Sequence, residues 1–292
     1  MSDLRIAAVQ MNCLRERNEN IERAIELTKS AATDGAKVIL LPELFETKYF
    51  CQERNYDYYN LATTVDTNPA VKAFSKLCKD LKVFMPVSFF EKDGNAFYNT
   101  VAMIDDKGSL MGIYRKIHIP DDHFYQEKFY FTPGNLGHKV WKTPFGNIGV
   151  GICWDQWFPE TARIMTLMGA DILLYPTAIG SEPILDIDSM PHWRRAMCGH
   201  SACNIVPVAA ANRVGEEKVS PSEANSNQTS SLTFYGSSFI TNETGEVIAG
   251  AGRDNETFIM ADIDIEKNRQ LRQSWGMFRD RRPEVYDLLA GN

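Results

Sequence analysis

Apolar residues fall along this chain in two rhythms. Residues 4–9 and 37–41 form short, nearly unbroken apolar runs of the kind found in buried strands. Between them Ile21, Ala24, Ile25, Leu27, Thr28 and Ala31 recur at helical spacing. That predicts a helix over residues 18–32 and a β-α-β opening. Residues 69–81 read as a second helix. Residues 83–90 and 97–104 flank Lys92-Asp-Gly-Asn, a hairpin signal, and the turn Asp105-Asp-Lys-Gly leads into a strand over 110–115.

The later half repeats both rhythms. Thr143-Pro-Phe-Gly precedes a strand over 148–153, and Pro159 starts a helix running through Met168. Strands follow at 172–175 and 206–211, with a helix over 191–203 between them, and residues 239–240, 246–249 and 257–262 continue the strands around the turn Asn242-Glu-Thr-Gly. Strands thus alternate with helices in places and pair as hairpins in others, the pattern of a mixed α/β sheet covered by helices in more than one layer pair. Residues 219–231, rich in Ser and Asn, read as a surface loop. No shift in composition marks a boundary, so residues 1–292 read as a single domain with a C-terminal tail from about 275. That tail is aromatic and basic with little periodicity, and suits docking on a partner subunit.

Composition narrows the classes. The chain is 44% hydrophobic and 24% charged, enough for a sizeable core. Its net charge of −7 argues against a nucleic-acid surface, which would need clustered Lys and Arg. No run of apolar residues is long enough to span a bilayer. The first residues are polar and pass straight into a strand, without the apolar stretch of a signal peptide. The six cysteines are scattered, as in reduced cytoplasmic proteins. No phosphate-binding Gly loop is present, so no cofactor is expected. His192, Cys198, His200 and Cys203 share one helix, but their spacing is not that of a zinc site, so no metal is expected either.

Three positions carry chemistry-bearing side chains at the ends of predicted strands. Cys153 lies in Gly149-Val-Gly-Ile-Cys-Trp-Asp-Gln-Trp-Phe-Pro-Glu, at a strand-to-helix elbow where backbone N–H groups can face developing negative charge. A thiolate there would be a strong nucleophile, though the position alone better suits a small buried apolar residue. Glu43, in Val38-Ile-Leu-Leu-Pro-Glu-Leu-Phe, follows a strand and a proline. Strand ends host catalytic groups in α/β folds, and a solvated acid at a helix start would look the same. Lys116, in Gly112-Ile-Tyr-Arg-Lys-Ile-His-Ile-Pro, read singly is an ordinary surface lysine. Glu127 is likewise a weak signal by itself.

Taken together, Pro42-Glu43, Arg115-Lys116-Ile117-His118 and Gly149-Val150-Gly151-Ile152-Cys153-Trp154-Asp155 resemble the three marks of the nitrilase superfamily in order and spacing, over nearly the whole chain. The resemblance implies a four-layer αββα sandwich, assembled as a homo-oligomer of two or more subunits. It also implies roles. Glu43 would be the general base, Cys153 the nucleophile, Lys116 and the backbone N–H of Trp154 the oxyanion donors, and Glu127 an accessory carboxylate positioning Lys116 or water.

Within the superfamily the chain is most similar to the N-carbamoylputrescine amidases. The segments carrying this are Tyr125-Gln-Glu-Lys-Phe-Tyr-Phe-Thr-Pro-Gly, Cys153-Trp-Asp-Gln-Trp-Phe-Pro-Glu, Tyr175-Pro-Thr-Ala-Ile-Gly-Ser-Glu-Pro, His192-Trp-Arg-Arg, Asn212-Arg and Gln273-Ser-Trp-Gly-Met-Phe-Arg-Asp-Arg-Arg-Pro. Asp121-Asp-His-Phe and Ile184-Leu-Asp-Ile-Asp depart from that pattern. The resemblance implies a small carbamoyl substrate, with Tyr125, Trp154 and Glu182 binding it and Glu182 taking a distal ammonium beside Asp186 and Asp188. The rival within the superfamily is an N-carbamoyl-D-amino-acid hydrolase. That family places two arginines after its Cys-x-Asp, where this chain has Gln156-Trp157. Arg194-Arg195 offers a substitute pair, more often structural in a helix. A catalytically idle binding or redox-sensing protein is the alternative of another class, disfavoured by the complete Glu43, Lys116 and Cys153 set.

Overall fold

A computed structural model describes residues 4–14 and 16–289. Strand β1 (Leu4–Gln10) and helix α1 (Arg17–Thr33) lead to β2 (Val38–Leu40), which lies parallel to β1. Helix α2 (Pro69–Leu81) precedes β3 (Met85–Asp93), β4 (Ala96–Ile104) and β5 (Leu110–Arg115), an antiparallel meander. Then come β6 (Val140–Thr143), β7 (Gly146–Val150), α3 (Pro159–Leu167), β8 (Ile172–Pro176), α4 (Met190–Asn204) and β9 (Val208–Ala211). The chain continues through β10 (Val214–Val219), β11 (Ser230–Tyr235), β12 (Phe239–Thr241), β13 (Val247–Gly250), β14 (Thr257–Ile263) and α5 (Ile265–Trp275).

These strands make two main sheets. One runs in the order β13-β12-β9-β8-β7-β6, with β7, β8 and β9 parallel. In the other, β14-β1-β2 joins β3-β4-β5 through Phe84, whose carbonyl accepts from Ile39 N (3.1 Å) and whose N–H donates to Lys37 O (2.9 Å). Side-chain alternation then sets the layers. Ile6 and Ala8 of β1, Val101 and Met103 of β4, and Ile148, Ile172 and Leu174 of the first sheet pack in one apolar core between the sheets. The opposite face of β1, with Ala7 and Val9, packs on Ala24 and Leu27 of α1 and Phe74 of α2. Leu173 and Tyr175 of β8 pack on Met165 of α3 and Trp193 and Met197 of α4. The architecture is therefore the four-layer αββα sandwich. Central strands buried on both faces explain why they read as unbroken apolar runs.

The helices obey local rules. In α2 the Asn68 side chain accepts from Val71 N, Pro69 occupies the first turn, and Lys82 closes the end in a left-handed conformation. Its buried residues Ala70, Val71, Phe74, Leu77 and Cys78 form one stripe.

Four elements escaped the sequence pattern: β6, β10, β11 and α5. Helix α5 buries only Ile265 and Asn268, so it carries almost no apolar periodicity, although Asp264 caps it at Lys267 N. Residues 219–231 are not simply a surface loop. Both ends belong to the β10–β11 ribbon, and Asn225 is buried, donating to Glu53 Oε2. The strand expected over 148–153 stops at Val150, because Asp155 Oδ2 accepts from Ile152 N (2.9 Å) and bends the chain into a tight 3-10 turn, Cys153–Trp157.

Leu174 is fully buried at the centre of the inter-sheet core. Leu174→Ala is expected to lower the unfolding free energy by about 2–5 kcal/mol, read from urea denaturation as a lower midpoint with an unchanged slope.

Candidate functional site

Strand ends bring the sequence-predicted groups together. Glu43 follows β2, Lys116 follows β5, Cys153 lies just beyond β7, and residues 178–182 follow β8. All leave the carboxyl ends of their strands, where open α/β sheets hold their sites. Lys116 Nζ donates to Glu43 Oε1 at 2.8 Å and to Glu127 Oε2 at 2.6 Å, and all three side chains are buried. The surface-lysine reading of Lys116 is thereby excluded. Cys153 Sγ sits 3.7 Å from the carbonyl of Ala178, and its backbone holds φ at +42°, a strained conformation for a residue with a side chain.

Further neighbouring groups fix this cluster. Asn99 Nδ2 donates to Glu43 Oε1 (2.6 Å) and Tyr49 Oη to Glu127 Oε1 (2.7 Å). The buried Arg213 guanidinium donates to the carbonyls of Glu43, Leu44 and Thr47 and pairs with Glu217 at 3.0 Å. Asn99 and Tyr49 belong to no recognisable motif, and their partners lie 56 and 78 residues away. Asp155, two residues past Cys153, accepts from Tyr114 Oη (2.7 Å) and His118 N (3.0 Å), tying the Cys153 turn to the Lys116 segment. Gly134 passes so close to that segment that a Cβ there would fall 2.1 Å from Arg115 O. This is a backbone approach that only glycine permits.

The electrostatics follow from burial. Burial pushes the Cys153 thiol well above its ordinary range; Glu43's charge adds to the shift and Lys116 opposes it. The resting sulfur is a thiol, so it needs a base. Glu43 Oε1 is taken by Asn99 and Lys116, while Oε2 is buried with no hydrogen-bond partner among the described residues. Burial also opposes the charge on Lys116, but Glu127 and Glu43 outweigh it and hold the ammonium protonated. Glu127 is pushed up to about 7, by burial first and then by Glu43, with Lys116 and Tyr49 pulling it down. An acceptor oxygen, a thiol and a fixed ammonium in one buried cluster can perform acyl transfer with general-base help.

The predicted recognition residues differ in their burial and surroundings. The Tyr125 hydroxyl accepts from Gly180 N at 3.0 Å, and burial first and then the charge of Glu182 push its pKa well up. Glu182 is half-buried, and burial with the charge of Asp122 raises its carboxyl. The Trp154 ring is exposed, edge-on to Trp157 at 6.2 Å. Asp186 and Asp188 are exposed, and Asp188 pairs with Arg253. Gln156 is buried and its Oε1 accepts from Trp193 Nε1 (2.7 Å), so this position serves packing and offers no carboxylate clamp. Arg194 donates to Ser237 O (3.3 Å) and lies over the Phe239 ring, a structural use. His200 Nε2 donates to the carbonyl of Gln156 at 2.6 Å. Among the described residues no group of three or more His, Cys, Asp or Glu side chains is placed to hold a metal ion.

The sequence profile of the carbon-nitrogen hydrolase family matches residues 5–273. The chain is 51% identical to a citrullinase of Francisella tularensis, over 99% of both proteins. It is 48% identical to an N-carbamoylputrescine amidase of Oryza sativa subsp. japonica, over 99% of this chain and 95% of that protein. The crystal structure of a carbon-nitrogen hydrolase from Helicobacter pylori G27 superposes with a TM-score of 0.90 at 35% identity, over 99% of each chain.

With Glu127 titrating at about 7, kcat/KM is expected to fall on an acidic limb near neutrality as this carboxylate gains a proton and releases Lys116. Removing the Tyr49 donor destabilises the ionised form of Glu127, so Tyr49→Phe should move that limb to higher pH. A limb that stays in place would show that Glu127 does not control the rate.

Proposed function

The chain belongs to the carbon–nitrogen hydrolase family of the nitrilase superfamily, and we propose that within it the protein hydrolyses the ureido group of N-carbamoylputrescine, giving putrescine, ammonia and carbon dioxide. The observation that carries the chemistry is the buried Lys116 ammonium clamped between Glu43 and Glu127 beside the Cys153 thiol.

Glu43 takes the thiol proton on its free oxygen as Cys153 Sγ attacks the ureido carbon. The Lys116 ammonium and the Trp154 backbone N–H receive the charge that builds on the ureido oxygen. Ammonia leaves with the proton from Glu43, and a thiocarbamate remains on Cys153. Glu43 then deprotonates a water that attacks this carbon, returning the thiol and releasing a carbamic acid that breaks down to amine and carbon dioxide. Glu127 keeps Lys116 in place throughout.

The substrate assignment rests on the outer pocket. Glu182 lies beside Tyr125 and Tyr235, a half-buried carboxylate with aromatic neighbours, which is the chemistry an alkylammonium needs. The N-carbamoylputrescine amidases of rice, potato, tomato and Arabidopsis thaliana, each 48% identical to this chain, support the same choice. We further place the protein in the cytoplasm as a homo-oligomer. Cys51, Cys78, Cys153, Cys198 and Cys203 stand in no disulfide, and Trp275, Val285, Leu288 and Leu289 are exposed.

Ammonia release from a panel of carbamoyl compounds tests the assignment. Cys153→Ala should abolish turnover while leaving the unfolding midpoint nearly unchanged, and Lys116→Ala should lower kcat by roughly 10²–10³-fold. Wild-type activity in either would refute the mechanism. Glu182→Gln should weaken N-carbamoylputrescine turnover about 10- to 150-fold, mainly through KM, with N-carbamoyl-D-amino acids affected less. An N-carbamoyl-D-amino acid as the better wild-type substrate would leave only the broader amidohydrolase reading.

A further inference from the structure

The cavity that holds Glu182 also carries a cation. An open cavity of about 540 Å³ lies between the loop after β8 and strand β11, lined in part by Glu182, Asp186, Asp188, Tyr235 and Arg253. Arg253 is the single cation among the described residues lining it. Its Nη2 donates to Asp188 Oδ2 at 2.7 Å, and its guanidinium carbon stands 5.8 Å from the centre of the Tyr235 ring. The Tyr235 hydroxyl is 3.2 Å from Ser189 Oγ, which donates to Gly180 O at 3.4 Å. Gly180 N binds the Tyr125 hydroxyl, and two residues earlier Ala178 O faces the Cys153 sulfur. Residues 178–182 thus form one continuous strip from the nucleophile to the cavity where Arg253 sits.

We propose that Arg253 and Asp188 form an exchangeable carboxylate subsite, through which the enzyme also accepts ω-ureido-α-amino acids; this rests on the ureido-hydrolase reading above. Such an amino acid is a ureido amine with one carboxylate added on the carbon that bears the amino group. Its ureido group would reach Cys153 and its ammonium Glu182, as for the amine. The added carboxylate then needs a cation beside Glu182, and Arg253 occupies that wall. A guanidinium offers its N–H donors in a fork that matches a carboxylate, so Asp188 stands where a substrate carboxylate would bind. Asp188 is exposed, and its other oxygen accepts from Met190 N at 3.3 Å, so it keeps a partner and water when Arg253 turns away. An exposed pair of this kind is weakly held and readily exchanged. With the pair closed, the lining is dominated by Glu182 and Asp186 and suits a bare amine. With Arg253 released, it suits a zwitterion.

Steady-state kcat/KM for L-citrulline and for N-carbamoylputrescine, measured by ammonia release on the full chain, tests this. The readout is the ratio of the two, which a general loss of folding or of chemistry does not move. The wild type should hydrolyse both compounds. Arg253→Gln should lower the citrulline-to-carbamoylputrescine ratio about tenfold or more, through KM for L-citrulline, and Asp188→Asn should raise the ratio several-fold. A ratio unchanged in both variants overturns the proposal. So does turnover of N-carbamoylputrescine with none of L-citrulline in the wild type and Asp188→Asn, and that result leaves the ureido reading standing. Inactivity of the wild type on both compounds overturns the two together.

Discussion

The ammonium of Lys116, shut away from water between two carboxylates, is the constraint around which this molecule is arranged. A buried charge is tolerated only when close partners replace its hydration, and losing one partner leaves another charge uncompensated. Glu43 and Glu127 fill that role at 2.8 and 2.6 Å. They come from segments far apart in the chain, so the ends of β2 and β5 must be held in register. The linkage through Phe84 between the two halves of one sheet provides that register, and the bonds of Arg213 to the Glu43 loop fix the remaining freedom.

The same constraint shapes the chemistry. With both glutamates ionised the cluster already carries a net charge of −1, so a resting thiolate on Cys153 would add a second negative charge in a buried space. Burial and the charge of Glu43 therefore keep the sulfur protonated. In the proposed mechanism, moving the thiol proton onto Glu43 keeps the total charge constant while creating the nucleophile. The strained φ of +42° at Cys153 marks the point where the chain leaves the line of β7 and enters the tight turn that holds the sulfur 3.7 Å from Ala178 O.

The proposed reaction and recognition sites are built on different kinds of structure. Glu43, Lys116 and Cys153 lie on buried segments whose backbone is bonded on several sides. The loop after β8, proposed for recognition, has an exposed Asp186 in the left-handed region and an ion pair in contact with water. Such loops can change without disturbing the core. That separation is consistent with relatives of similar identity bearing the names of different ureido hydrolases.

Much of this was legible in the chain itself. Unbroken apolar runs marked the central strands because both faces of each are buried, and the range 69–81 read for α2 matches the helix. Glu43, Lys116 and Cys153 were legible because each stands in a short contiguous motif beside a strand end. Helix α5 was not, since it buries too few side chains to set up a period, and neither was the bend that ends β7 before Cys153, which depends on Asp155 reaching back. Asn99, Tyr49 and Arg253 were invisible for a further reason: each acts through a partner distant in sequence. Local pattern thus determined the layers, the strand ends and the side chains that cluster there. Only the tertiary structure decided which oxygen of Glu43 stays free, what clamps Lys116 and which cation faces Glu182, because hydrogen bonds and ion pairs between distant segments leave no periodic trace in the chain.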